Sequence, residues 1–389
     1  MKRITLFFLL LCCMPVLCIG IKITHGPYIC DMDSTSVTIM WVTDKPGLSW
    51  VELAPDDGMH FYGSERPKYF ATLRGRKLAA DTLHKVRFNG LKSACKYRYR
   101  IFTKEMKQWR WNDNILYGDI ASSTVYRREP YAFKTFPSIP RDISFLVVND
   151  IHERAAEMAE MCRNLDFSKL DFVILNGDMS NNVGSADQIF KGYVDSCVSM
   201  FARHIPVFMN RGNHETRGAL ADRLWDFFPT ANGEFYRVQH VAGIDFLFID
   251  SGEDKPDSDI EYGEISDFDT YRREQADWLK QLRAAGEIGR HPIVVFSHIP
   301  PVLQKWHGCD HLTNTIVPEL NKLNVTMMFS GHLHRNDYLP PNDRVRFPCI
   351  VNSNVSYMLC HIRNGKLEVE RSQTNGKDKE HFTFHIIGR

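Results

Sequence analysis

The first third of the chain alternates. In Ser36-Val37-Thr38-Ile39-Met40-Trp41-Val42-Thr43 polar and apolar residues trade places, with β-branched residues prominent, which is the period of a half-buried strand. Asp44-Lys45-Pro46-Gly47 reads as a turn, and Leu48-Ser49-Trp50-Val51-Glu52-Leu53 as the next strand. His84-Lys85-Val86-Arg87-Phe88, the turn Asn89-Gly90, and Lys96-Tyr97-Arg98-Tyr99-Arg100-Ile101 repeat the pattern. Short strands with turns at this spacing predict an all-β region over residues 21–138, a β-sandwich of the fibronectin III or immunoglobulin type. Trp41 and Trp50 stand at strand-period positions, which predicts core. The functional alternative is a carbohydrate-binding module built on Trp41, Trp50, Trp109 or Trp111.

After Phe136-Pro137-Ser138-Ile139-Pro140 the pattern changes. Continuous apolar runs now end in polar loops followed by helical stretches. Ile143–Asn149 ends at Asp150, Phe172–Asn176 at Gly177-Asp178, and Val207–Asn210 near Asn213-His214; Ile293–Ser297 ends at His298, and Met327–Ser330 at Gly331-His332. Uninterrupted apolar strands are buried on both faces, so residues 139–389 are expected to form an α/β layered domain. Ligands of such sheets gather outside the strand ends.

The N-terminus reads differently again. Lys2 and Arg3 precede an apolar run from Ile4 to Leu17, and Gly20 offers a small residue for cleavage. Residues 1–20 therefore read as a secretory signal peptide, too short and wrongly flanked for a spanning helix. The protein is expected to be exported, whether periplasmic, cell-surface or secreted, with no transmembrane segment in the mature chain. Removing residues 1–20 takes away two of the 48 basic groups and none of the 47 acidic ones, leaving a net charge of −1. No basic field argues for nucleic acid. Seven cysteines remain outside the leader, Cys30, Cys95, Cys162, Cys197, Cys309, Cys349 and Cys360. With no CxxC pair among them, a thiolate zinc site is not expected, and most should be small buried hydrophobes with at most one bridge.

The chemistry collects at the strand ends. Asp150, His152, Asp178, Asn213, His298, His332 and His334 supply candidate metal ligands of mixed oxygen and imidazole type. Such a set suits manganese, iron or zinc. Seven ligands exceed what one tetrahedral ion takes, which implies two ions sharing a carboxylate.

In order, Asp150-x-His152, Gly177-Asp178, Gly212-Asn213-His214-Glu215, His298 and Gly331-His332-Leu333-His334 resemble the five signature blocks of the calcineurin-like metallophosphoesterase superfamily. Gly26-Pro27-Tyr28, Val37–Trp41 and Tyr97–Ile101 resemble the N-terminal domain of purple acid phosphatases, which is fibronectin III-like and carries no catalytic residue. The resemblance implies two packed sheets flanked by helices. It implies one ion on Asp150, His152 and His334, the other on Asn213, His298 and His332, and Asp178 between them. His214 resembles the family histidine that stabilises or protonates the leaving oxygen, and Glu215 a support of its loop. Purple acid phosphatases have Gly and Tyr where this chain has His152 and Asn181, so the tyrosinate-to-iron colour is not expected; Asn181 reads as lining the site or, by the favoured reading, closing the Asp178 loop by an Asx turn.

The implied function is that of an exported dinuclear phosphoesterase working by metal-bound hydroxide on a small phosphate ester, a phosphomonoesterase resembling acid phosphatases. The alternatives are a phosphodiesterase on the same metals, or a catalytically inactive metal-binding adhesion protein. Three further features carry weaker expectations. His307 and His311, with Trp306, fall in a loop-like insert over Gln304–Asn314 that would either face substrate or lie on the surface. The acidic stretch Ser251–Tyr271 reads as a solvated loop or a lid. Arg211 is expected to be structural or solvated, and His240 and His291 lack context.

Overall fold

A computed structural model describes residues 20–124, 128–302, 304–373 and 378–386. The expected leader, residues 1–20, lies outside them except for Gly20. No helix among the described residues is long and apolar enough to cross a membrane.

The apolar runs form two stacked sheets. In the first, Ile143–Val148, Phe172–Asn176 and Val207–Asn210 run parallel, and Ser356–Arg363 joins Ile143–Val148 antiparallel, continued by Lys366–Gln373 and Lys379–His385. In the second, Ile244–Ile249, Ile293–Ser297, Val325–Ser330 and Cys349–Val351 run parallel between the antiparallel edges Arg237–Val241 and Asp337–Leu339. The inner faces meet through aromatic rings: Phe145, Phe172 and Phe208 from one sheet pack on Phe246, Phe248, Phe296 and Phe329 from the other. The outer face of the first sheet (Leu146, Val173, Leu175, Met209) is covered by Met158, Ile189, Phe190 and Tyr193. That of the second (Leu247, Val295, Met328) is covered by Leu279 of the helix Phe268–Ala285 and by Leu312, Ile316 and Leu320. Four layers, helix–sheet–sheet–helix, bury every parallel strand twice, as the continuous apolar runs require.

The N-terminal region is antiparallel β apart from one parallel pairing, and it departs from expectation in two ways: its strands continue the first sheet, and one expected turn is absent. Asp44–Gly47 is no turn; Val37–Pro55 is one strand through it. The strand changes partner there, pairing with Asp81–Phe88 along Val37–Val42 and with Lys96–Trp109 along Gly47–Pro55. Pro46, lacking an N–H, costs no ladder bond at the exchange. Gly47 lets the backbones close, since a Cβ there would sit 2.5 Å from Thr103 Cγ2 and 2.6 Å from the Lys104 carbonyl. Trp41 is fully buried, its indole N–H donating to Thr103 Oγ1 at 2.9 Å, and Trp50 stacks on Phe102, so both are core. Trp111, 88% exposed, is not.

This region is joined to the layers rather than appended to them. Ile23–Cys30 pairs in parallel with Val207–Asn210. Tyr28 and Tyr99 donate their hydroxyls to the carbonyls of Phe227 and Arg203, and Phe136 packs on Phe172 and Phe208. All seven described cysteines are free thiols, six of them buried, so none bridges.

Phe172, 1% exposed, touches Phe136, Phe145, Phe208 and Phe246 and so ties both sheets to the N-terminal region. Phe172→Ala should destabilise the protein by about 3–5 kcal/mol. Denaturant unfolding measures this, and a loss below about 1 kcal/mol would contradict the packing described.

Candidate metal centre

The parallel strands of both sheets end on one side of the molecule, and their loops converge there. All seven predicted ligands and His214 are brought together. The backbone turns sharply to do this: Asp150, His152, Asp178, His332 and His334 all have positive φ, between 48° and 68°. Five non-glycine residues in the left-handed region at one place mark a conformation imposed by the surrounding structure. Gly177 (φ 88°) cannot be replaced, because a Cβ would lie 2.5 Å from His298 Nδ1 and 2.8 Å from Gly212 Cα.

Each carboxylate splits its oxygens between scaffold and cluster. Asp150 Oδ2 accepts from Asn149 Nδ2 (2.5 Å) and the His332 N–H (2.9 Å), which leaves Oδ1 facing inward, 3.2 Å from His334 Nε2. Asp178 Oδ1 accepts the His214 N–H at 3.0 Å. Its Oδ2 lies 3.0 Å from His298 Nε2 and 3.9 Å from His152 Nε2, within reach of both groups. His152 Nε2 and His334 Nε2 face each other at 3.1 Å. The His332 Nδ1 lies 3.0 Å from the Asn213 amide.

These atoms test whether metal fits. His332 Nε2 is buried with no hydrogen-bond partner, a costly state for a polar atom, while Asp150 Oδ1 and His298 Nε2 make no well-aligned hydrogen bond and face the cluster's own imidazoles and carboxylates. The inner atom of the Asn213 amide faces His332 Nδ1 (3.0 Å) and Asp178 Oδ2 (3.3 Å), while the outer one faces Arg217 Nη2 (3.2 Å). With its nitrogen inward the amide donates to both and accepts from Arg217; turned the other way it offers its oxygen to a cation. Burial pushes Asp178 up, but His298 and His214 overcome it and hold the carboxyl well below its usual range. Burial likewise lowers His298, against which Asp178 and Asp150 raise it to about 10. Burial and the neighbouring His298 push His332 down to about 4. Ionised carboxylates beside buried imidazoles are a cation's donor set, and a cation between His298 Nε2 and Asp178 Oδ2 would take the place of the proton that the pair otherwise holds. Asp150, His152 and His334 lie close enough together to hold one ion, and Asp178, His298 and His332, with Asn213 beside His332, to hold the other; His214 also lies within reach of Asp178 and His152.

Residues 143–336 match the model of the calcineurin-like phosphoesterase family. The chain belongs to the calcineurin-like metallophosphoesterase superfamily. It is 31% identical over 140 residues to serine/threonine-protein phosphatase CPPED1 of Bos taurus, and equally to that of Mus musculus. Each match covers 34% of this chain and 42% of the relative, so the chain spans less than half the length of the curated relatives it matches. Purple acid phosphatase PPD1 from Lupinus luteus seeds superposes with a TM-score of 0.59 over 92% of this chain and 73% of that one, at 11% identity, a likeness of fold alone.

Several residues that hold this metallophosphoesterase centre were not singled out from the sequence. His298 Nδ1 is held against the Asn176 carbonyl at 2.8 Å, leaving Nε2 for the cluster. Asn149 donates to the Asn352 carbonyl, and Asn352 returns a bond to Asn149 Oδ1. Arg154 clamps the first ligand loop through the carbonyls of Asp150, Ile151 and Asn354. An asparagine closing each of the three apolar runs of the first sheet, at 149, 176 and 210, was the available signal.

Glu215 supports its loop as the resemblance implied: Oε2 accepts from the N–H groups of Asp178 (2.7 Å) and Gly212 (2.9 Å), and Oε1 from that of Ser180 (2.8 Å). Asn181 closes no Asx turn; its side chain donates to the His152 carbonyl and its own carbonyl receives His214 Nδ1 at 2.8 Å. Residues 307–315 form a helix, not a loop, because Cys309, Leu312 and Ile316 bury at helical spacing. His307 and His311 face Asp269 and Arg272, away from the centre. Trp306 does reach it, edge-on to His332 at 4.8 Å. The acidic stretch is in part the solvated loop expected, with Glu261, Glu264 and Asp267 exposed, but its two ends are held in place. Glu253, 1% exposed, grips Arg217 at 2.7 and 2.8 Å, and Asp257 caps the helix beginning at Phe268. Arg211 is tied to Asp250 at 2.8 Å and plays a structural part.

Glu215→Gln keeps the shape but turns an N–H donor toward backbone N–H donors. We expect a stability loss of about 1–3 kcal/mol and metal affinity lower by about 10–100-fold. Thermal unfolding and metal analysis after dialysis check both; unchanged metal retention would contradict the supporting role.

Proposed function

We propose that this chain is an exported phosphoesterase with a dinuclear metal centre that hydrolyses phosphate monoesters. The observation that carries the reading is Asp178 Oδ2, turned toward both groups of ligands while the other donors surround it. The name of the serine/threonine-protein phosphatase relatives, together with the purple acid phosphatase fold, favours monoesters over diesters. The donors are oxygen and imidazole, which suits manganese, iron or zinc. The N-terminal region serves as a fibronectin III-like sandwich that carries none of the ligands, and residues 1–20 as a cleaved signal peptide.

Two bound ions supply a water acidified for attack and a clamp on the oxygens of the phosphoryl group. The chain's own residues supply the rest. His214 donates Nδ1–H to the Asn181 carbonyl, so the ring is fixed and Nε2 points at the cluster, 3.9 Å from Asp178 Oδ2. In the imidazolium form Nε2 carries the exchangeable proton and can deliver it to a departing alkoxide. The backbone N–H of His214 holds Asp178 as well, which couples the acid and the bridging carboxylate through one residue. Trp306 walls the His332 side and limits the direction from which an ester enters.

Asp178 and His214 should fail differently on substitution. Asp178→Asn removes charge from both ion sites and should lose metal together with activity. His214→Ala should keep its metal and lose turnover by about 10²–10⁴-fold, less on p-nitrophenyl phosphate than on an alkyl phosphate, because nitrophenolate departs without a proton. Metal analysis beside kcat on these esters, with bis-p-nitrophenyl phosphate as the diester control, decides the roles. Metal loss from His214→Ala, or faster turnover of the diester, would each overturn part of the reading.

Export has its own test. Expressed with its leader in a secreting host, the protein should appear outside the cytoplasm with an N-terminus near Ile21. Retention at full length inside the cell would refute it.

A further inference from the structure

A second cluster of histidines and a carboxylate lies at the other end of the second sheet. The hairpin between Arg237–Val241 and Ile244–Ile249 turns through Ala242 (φ 48°) and Gly243 (φ 82°), the two-residue geometry that fixes strand register. That register sets His240 directly across from Asp245. On its other side Asp245 pairs with Ile293, the first residue of its strand, and His291 stands two positions earlier. The three side chains meet: His240 Nδ1 lies 2.7 Å, and His291 Nδ1 3.0 Å, from the same oxygen, Asp245 Oδ1.

The exposure is uneven in an informative way. The Asp245 side chain is 1% exposed, whereas those of His240 and His291 are 59% and 49% exposed. A buried carboxylate thus forms the floor of a surface notch with two accessible imidazoles as its walls. The rings stand at 71° to each other, so their nitrogens approach the oxygen from different directions. All three donor atoms lie within 4.8 Å of one another.

We propose that His240, Asp245 and His291 form a surface site for a divalent transition-metal ion of the zinc type, separate from the dinuclear centre. Two imidazole nitrogens and one carboxylate oxygen are an open zinc donor set, with the fourth position left to water or to a donor from another molecule. Calcium and magnesium prefer oxygen donors and fit it poorly. The dinuclear centre lies beyond the opposite end of the strand Ile293–Ser297, roughly 15 Å away at about 3.3 Å per residue.

Calorimetric zinc titration of the metal-loaded enzyme, compared with a His240→Ala/His291→Ala variant, tests the site. The wild type should take up one zinc equivalent more per chain than the variant and should gain thermal stability on zinc addition that the variant lacks. Turnover should be the same in both, because neither histidine belongs to the dinuclear centre; the test therefore stands apart from the phosphoesterase reading. His291→Ala alone leaves the His240–Asp245 pair across the hairpin and should already abolish the extra equivalent. Equal zinc uptake by wild type and both variants would overturn the proposal and leave the cluster as a hydrogen-bonded buried carboxylate.

Discussion

The Asp178 carboxylate has to serve two groups of donors from one backbone position, and the chain around it is shaped by that demand. One oxygen is fixed by the His214 N–H, and the other is left among His298, Asn213 and His152. Its own N–H is held by Glu215. Any side chain at Gly177 or Gly212 would collide with the centre, since a Cβ at the latter would lie against Asp178 itself. The positive φ angles at Asp150, His152, Asp178, His332 and His334 are backbone strain of the kind that persists only where surrounding structure over-determines it.

That surrounding structure is the aromatic interface between the sheets. Phe145, Phe172, Phe246, Phe296 and Phe329 interlock with ring centroids 5.1–6.3 Å apart, in stacked and edge-on arrangements. The interface fixes the separation of the two sheets, and with it the distance between donors that come from different sheets. Asp150, Asp178 and Asn213 follow strands of the first; His298, His332 and His334 follow strands of the second. The buried asparagines cross the same gap, Asn176 donating to the Phe329 carbonyl and Asn149 to the Asn352 carbonyl, so the sheets are bonded to each other immediately beneath the donors. The N-terminal region contributes at this level: Phe136 packs on Phe172 and Phe208 and extends the same core.

The sequence by itself determined a good deal. Period-two alternation and continuous apolar runs separate the antiparallel region from the layered one, because a strand buried on two faces cannot carry polar side chains and one buried on a single face can. The same logic places the donors, since a polar residue at the end of an apolar strand has nowhere to sit but outside the sheet. What only the tertiary structure decided is how residues distant in the chain meet. The partner exchange along Val37–Pro55 depends on the approach of Lys96–Trp109, which no local signal announces, so Pro46-Gly47 imitates a turn. Glu253 and Asp257 look like solvated charge in sequence, yet they are consumed by Arg217 and a helix terminus. His240, Asp245 and His291 look unrelated until a hairpin and a parallel pairing set them side by side. Local pattern records which face a residue prefers, whereas the partner it finds there is fixed by the register and packing of strands far apart in the chain.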